Sequence, residues 1–129
     1  MLDSLQLTPS EYFARNCYVG ASYMTANEVQ MRGDMGVDRV MWGSDYPHSE
    51  GTYPFSREAI RIAFNGVPTD EIRLMLGETA MQLYRLNESA LKDAASRFGP
   101  TVEEIASPVV DMPDAPCVVF EATDPVRAW

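Results

Sequence analysis

Three polar residues near the middle of the chain, Ser44, Asp45 and His48, have types and spacing that could support catalysis. They end or follow an apolar run over residues 39–44 that has strand character. In parallel α/β architectures ligands bind at the carboxyl ends of strands, so a carboxylate just after a strand can hold a metal ion or move a proton. Asp45 is therefore a candidate catalytic and metal-binding residue. His48 is a candidate catalytic residue, as a ligand, general acid or substrate contact.

Structural roles compete with these chemical ones. Asp45 lies in a Ser-Asp-Tyr-Pro turn, where an Asp side chain accepts hydrogen bonds from backbone amides, and His48 can pack beside Tyr46 in the loop. Spacing alone favours these structural roles. A nucleophilic triad is rejected, because Ser44 lacks the glycine pattern of a nucleophile elbow and its neighbour Asp45 would face away from it.

The number of histidines limits the metal chemistry. The chain has one, His48, whereas most zinc or iron sites need two or three imidazoles or thiolates. One copy of the chain therefore cannot complete a His-based metal centre. The side chains of Asp45, His48 and Glu50 from separate copies could meet around a metal, but nothing in the sequence places them together.

Three residues near the first strand invite a functional interpretation. Tyr23 and Met24 end that strand on the same rim as Asp45, where they line a pocket or pack in the core. Cys17 begins the strand, and a lone cysteine there is expected to be a small core residue.

The elements that position these residues form a strand, helix and strand unit. Apolar runs over residues 17–24 and 39–44 predict two strands covered on both faces, and a helix from Thr25 or Asn27 to Met35 separates them. Such a crossover predicts parallel pairing with a right-handed connection.

The rest of the chain is predicted to be helical up to Ser107. Capping residues are expected at Thr8, Ser56, Thr69, Asn87 and Thr101, and Gly77 is expected to interrupt the helix that follows Thr69. The helix after Asn87 has the clearest helical periodicity, which predicts an inward face formed by Leu91, Ala94, Ala95 and Phe98.

The region after Ser107 differs in composition. Residues 108–129 hold four prolines, have no helical period, and contain one strand-like patch over residues 117–120. This tail is expected to be disordered or to be ordered by lying on another surface.

Composition narrows the function further. The 129 residues suit one domain, and their formal charge of −9 without a basic cluster disfavours nucleic acid and anionic lipid. No apolar run reaches the roughly 18 residues of a membrane span. Two distant cysteines and an N-terminus without a signal pattern indicate a reduced, cytoplasmic protein.

The segments over residues 41–48 and 75–86 together resemble the C-terminal part of the amidohydrolase-related family, which includes metal-dependent hydrolases and decarboxylases of the aminocarboxymuconate-semialdehyde decarboxylase type. The similarity extends from about Pro9 to Ser107. The resemblance implies a (β/α)8 TIM barrel with a mononuclear metal, commonly zinc, held by histidines and by an Asp at the end of the last strand. Asp45 matches that Asp, and His48 matches a loop position common in the family. The family's His-x-His pair has no counterpart here.

Length then suggests a fragment. A full barrel needs about 250 residues, whereas this chain offers about two parallel strands and four to six helices. Residues 1–107 are interpreted as the end of a barrel and residues 108–129 as its tail. We expect a helix-rich α/β chain that is inactive alone, that acts on a small-molecule substrate when complete, and that associates with itself or with a partner chain. The alternative is a non-catalytic, oligomeric interaction module.

Overall fold

Two short strands pair in parallel near the centre of the molecule. In the computed structural model, which describes residues 5–111 and 113–121, β1 spans Val19–Ala21 and β2 spans Val40–Trp42. Their register pairs Val19 with Val40 and Ala21 with Trp42. The predicted parallel pairing and the helix-rich α/β class are confirmed.

The crossover between the strands is helical but broken. Helix α2 spans Ala26–Gln30 and α3 spans Arg32–Met35, with Met31 between them at φ −83° and ψ 0°. Gly36, at φ 90°, ends α3 as predicted, and a 3-10 turn over Val37–Arg39 leads into β2. The expected single helix to Met35 is therefore two shorter ones.

The prediction that both strands are covered on both faces is wrong, and each strand is shorter than the apolar run that predicted it. Each strand has three residues, Gly20 is exposed, and Val19 and Ala21 are half-buried. Val40 is fully buried. Of the six residues in the two described strands only Val40 is buried, so an apolar run does not ensure coverage on both faces.

The remaining helices up to Ala106 follow the predicted order, whereas α9 was not predicted. Their bounds are α1 Pro9–Asn16, α4 Ser56–Ala63, α5 Thr69–Arg73, α6 Thr79–Tyr84, α7 Glu88–Phe98, α8 Val102–Ala106 and α9 Val118–Glu121. A π-helical turn over Leu74–Glu78 contains Gly77 and joins α5 to α6. The strand-like patch over residues 117–120 is thus mostly helical. None of the helices in the described ranges is both long and apolar enough to cross a bilayer.

The capping predictions hold at Thr8, Asn87 and Thr101, and Thr25 rather than Asn27 caps α2. Thr8, Thr25 and Thr101 form capping boxes with the glutamates three residues later, and the Asn87 side chain accepts from the Ala90 amide. Ser56 and Thr69 instead occupy the first turns of α4 and α5, and neither caps its helix.

Two apolar clusters hold the elements together. In the larger one, Val40 packs with residues from α2, α4, α5, the π-helical turn and α8, including Val29, Phe64, Ile72, Met75 and Ile105. In the smaller one, Cys117, Val119 and Phe120 cover Ala59 of α4. The last described segment therefore packs on the chain's own surface.

Two burial predictions are wrong. Helix α7 has no buried residue, and Leu91 and Phe98 are 39% and 70% exposed, because no described element covers that face. Cys17 is exposed rather than in the core, because it lies between α1 and the short β1.

Candidate metal centre

The site begins where β2 ends. A Cβ atom on Gly43 would lie 3.1 Å from the Ala21 carbonyl oxygen, so the glycine lets the two strand ends approach closely. Asp45 follows at φ 60°, in the left-handed region that few non-glycine residues adopt. The backbone therefore turns sharply at the predicted site residue.

The loop over residues 44–52 is closed by hydrogen bonds. The backbone amide of Thr52 donates to the Ser44 carbonyl at 2.9 Å, and the Thr52 hydroxyl lies 2.9 Å from that of Ser56. Inside the loop the His48 amide donates to the Asp45 carbonyl at 2.8 Å. Thr52 is buried, so the loop is anchored to the start of α4.

This loop brings three metal-ligating side chains together. His48 Nδ1 lies 3.3 Å from Asp45 Oδ2 and 3.2 Å from Glu50 Oε1. One ligand atom from each residue lies within 4.8 Å of the other two. The sequence interpretation considered these residues together only across separate copies, whereas the structure joins them within one chain.

The donor set fits a divalent cation. One imidazole and two carboxylates are ligands that zinc and other first-row divalent ions accept, and catalytic zinc sites commonly use three protein ligands with one position open. Asp45 is 29% exposed, while His48 and Glu50 are 63% and 57% exposed. The latter two side chains are therefore free to adjust to an ion.

Tyr23 adds a phenol near this cluster. Its pKa is raised above the ordinary value, first by burial and then by the charges of Glu50, Cys117, Asp45 and Glu28. The phenol therefore stays protonated at neutral pH and is available as a hydrogen-bond donor. Tyr23 and Met24 also line a small cavity beside β1, and Met24 is buried in the main core.

Glu50 is the residue that sequence reasoning did not place in a single-chain site. The sequence feature that could have placed Glu50 near His48 is a pair of residues that close the loop. Pro47 prevents continued strand pairing, and Gly51 permits a close turn. A Cβ atom on Gly51 would lie 2.8 Å from the Ser44 carbonyl oxygen and 2.9 Å from that of Asp45. Such a close return places the residue before Gly51 beside His48.

Comparison with known protein families gives a match over part of the chain. Residues 34–86 match the family model described as Amidohydrolase, a stretch that contains β2, the whole 44–52 loop and all of α4, α5 and α6. This similarity supports an amidohydrolase-family relationship. No curated protein matches the chain, and no solved structure does.

Proposed function

We propose that the chain contributes Asp45 to the metal site of an amidohydrolase-like hydrolase or decarboxylase that acts on a small organic substrate. One observation carries the proposal: the segment similar to amidohydrolases holds Asp45, His48 and Glu50 with their ligand atoms within 4.8 Å, just beyond the end of a parallel strand. Strand ends of this kind are where α/β enzymes place their catalytic groups.

Each residue has a role in this proposal. Asp45, the least exposed of the three, holds the ion or receives the proton of an attacking water, and His48 acts as a ligand or general acid. A bound zinc or other divalent ion would supply a Lewis acid that lowers the pKa of water. Tyr23, protonated at neutral pH, donates a hydrogen bond to substrate.

The resemblance to amidohydrolases implies more histidine ligands than this chain holds. His48 is the sole histidine, so we propose that the remaining ligands come from a further segment or a partner chain. The two parallel strands and the helices after them would then be the end of a (β/α)8 barrel. On this proposal the 129 residues alone bind metal weakly and do not turn over substrate.

Cobalt titration tests the role of Asp45. Co²⁺ absorption in the visible region reports coordination number, and free imidazole can supply the missing ligands. We expect imidazole to convert the Co²⁺ complex of the wild-type chain to an intense tetrahedral spectrum, and Asp45→Asn to weaken Co²⁺ binding by about tenfold, or about 1.4 kcal/mol.

Asp34→Asn is the matched control, because Asp34 is an exposed carboxylate on α3, outside the cluster. If Asp45→Asn and Asp34→Asn have the same effect on Co²⁺ affinity, Asp45 is not a ligand and the proposal fails. Zinc-dependent hydrolysis by the unsupplemented chain would overturn the claim that further ligands are needed.

A second candidate function is a non-catalytic interaction module. It is favoured by the uncovered apolar face of α7, where Leu91 and Phe98 are 39% and 70% exposed. Association through this face in a chain that binds no Co²⁺ would support the module over the enzyme.

A further inference from the structure

A groove separate from the Asp45 cluster lies between α5 and the α7–α8 pair. Its volume is about 580 Å³, within the range of roughly 300 to 1,000 Å³ that small-molecule sites occupy. None of the residues that line it belongs to the Asp45, His48 and Glu50 cluster. The groove is therefore separate from the cluster, and its ligand does not depend on the proposed metal chemistry.

The groove has an apolar interior. Its lining includes the core side chains Phe64, Val67, Ile72 and Ile105, each less than 10% exposed. Val102 of α8 is 43% exposed at its border. An apolar chain that enters this groove would bury aliphatic surface now in contact with water, which favours binding.

One cation lines the groove without a partner. Arg73, the last residue of α5, makes no side-chain hydrogen bond, ion pair or ring contact among the described residues. Apart from Arg73 and Arg85, each described basic residue has such a contact: Arg15, Arg32, Arg39, Arg57, Arg61, Lys92 and Arg97. The guanidinium of Arg73 beside an apolar groove is complementary to an anion, and this local attraction acts against the repulsion from a chain of charge −9.

We propose that this groove binds a small apolar carboxylate, such as a medium-chain fatty acid. The hydrocarbon chain lies against Ile72 and Ile105, and the carboxylate pairs with Arg73. Guanidinium groups bind carboxylates through paired hydrogen bonds, which gives the site its selectivity for this head group over a neutral one.

Titration with decanoate and decanol separates the charge from the hydrocarbon chain. We expect the wild-type chain to bind decanoate more tightly than decanol in calorimetry. Arg73→Gln should weaken decanoate about fivefold, the upper range for a solvent-exposed ion pair, and leave decanol unchanged. Arg85→Gln is the matched control, since the Arg85 side chain likewise has no polar or ring contact within residues 5–111 and 113–121 and does not line the groove. Equal losses for both ligands in Arg73→Gln, or equal losses of decanoate in both arginine variants, would overturn the assignment.

A groove-filling substitution locates the hydrocarbon chain. Ala95 is an exposed residue of α7 that lines the groove, whereas Ala90 is exposed on the same helix and does not line it. Ala95→Phe should reduce the affinity for both decanoate and decanol, and Ala90→Phe should leave both unchanged. Decanoate binding that survives Ala95→Phe would mean that the ligand lies elsewhere. Neither experiment involves metal, so a failure of the groove proposal is distinguishable from a failure of the proposed metal-dependent function.

Discussion

Gly51 is the residue on which the arrangement of Asp45, His48 and Glu50 depends. A Cβ atom at this position would lie 2.8 Å from the Ser44 carbonyl oxygen, 2.9 Å from that of Asp45 and 3.1 Å from that of His48. All three are backbone atoms that hydrogen bonds within the loop hold in place. A side chain at residue 51 would therefore force the loop open, because no flexible group can move aside.

Gly51→Ala should accordingly destabilise the fold by about 1 to 3 kcal/mol, the usual range for overpacking. Urea unfolding measures this loss, and Co²⁺ affinity should fall with it as the three ligands separate. Gly33→Ala is the control, because a Cβ there meets nothing within 4 Å and Gly33 is helical. Alanine in a helix is favoured over glycine by roughly 0.5 to 1 kcal/mol. Equal stability of the two variants would show that the loop is not closed as described.

At the scale of elements, Arg57 connects α4 to the α7–α8 pair. Its guanidinium donates to Glu104 Oε1 at 2.5 Å and to the Phe98 carbonyl at 2.6 Å. The pKa of Glu104 is lowered, first by the hydrogen bond from Arg57, while burial works in the opposite direction. This single arginine therefore holds one helix against two others.

That connection predicts a pH dependence. Because the folded pKa of Glu104 lies below its ordinary value of 4.5, its stabilising contribution is present above pH 4.5 and is lost as the pH falls through the folded pKa. The difference in Tm between wild type and Glu104→Gln should therefore be largest near neutral pH and should shrink below pH 4.5. Glutamine retains one side-chain oxygen that can accept from the Thr101 amide, so the capping box can persist while the negative charge and the second acceptor for Arg57 are lost.

Glu103→Gln is the control for this pH series. Glu103 lies in the same first turn of α8 and has no hydrogen bond or ion pair among the side chains that the structure describes. A difference in Tm between wild type and Glu104→Gln that stays constant from pH 7 to pH 3 would contradict the electrostatic role of the Arg57 contact.

The sequence predicted those features of the helices and strands that depend on residues close together in the chain. Thr8, Asn87 and Thr101 were identified as caps because each cap and its partner lie within one helical turn. The exposure of the apolar face of α7 was not predictable. Helical periodicity shows that such a face exists, but it does not show whether another element covers it. The position of Asp45 just after β2 was predictable because Asp45 directly follows the apolar run. The approach of Glu50 to His48 was not predictable, because it depends on how the 44–52 loop closes.

At the scale of the whole molecule, exposed apolar surface favours self-association of two copies, whereas their net charge opposes it. Leu91 and Phe98 lie seven residues apart on one face of α7 and are 39% and 70% exposed. Two copies that bury these faces against each other would gain from removing apolar surface from water. Each copy, however, carries a formal charge of −9, so the copies also repel each other.

This balance predicts that self-association strengthens with salt. Screening shortens the range of charge repulsion from about 10 Å at 0.1 M salt to about 3 Å at 1 M, while the apolar contact remains. We expect the mass measured by light scattering to exceed that of one chain. We also expect this mass to rise between 0.05 and 0.5 M NaCl, over which the Debye length falls roughly threefold.

The double variant Leu91→Ser and Phe98→Ser should stay monomeric throughout. Val110→Ser, at an apolar side chain that is 87% exposed outside α7, should behave like wild type. A monodisperse wild-type monomer at every salt concentration, or dissociation as salt rises, would show that this face does not join two copies.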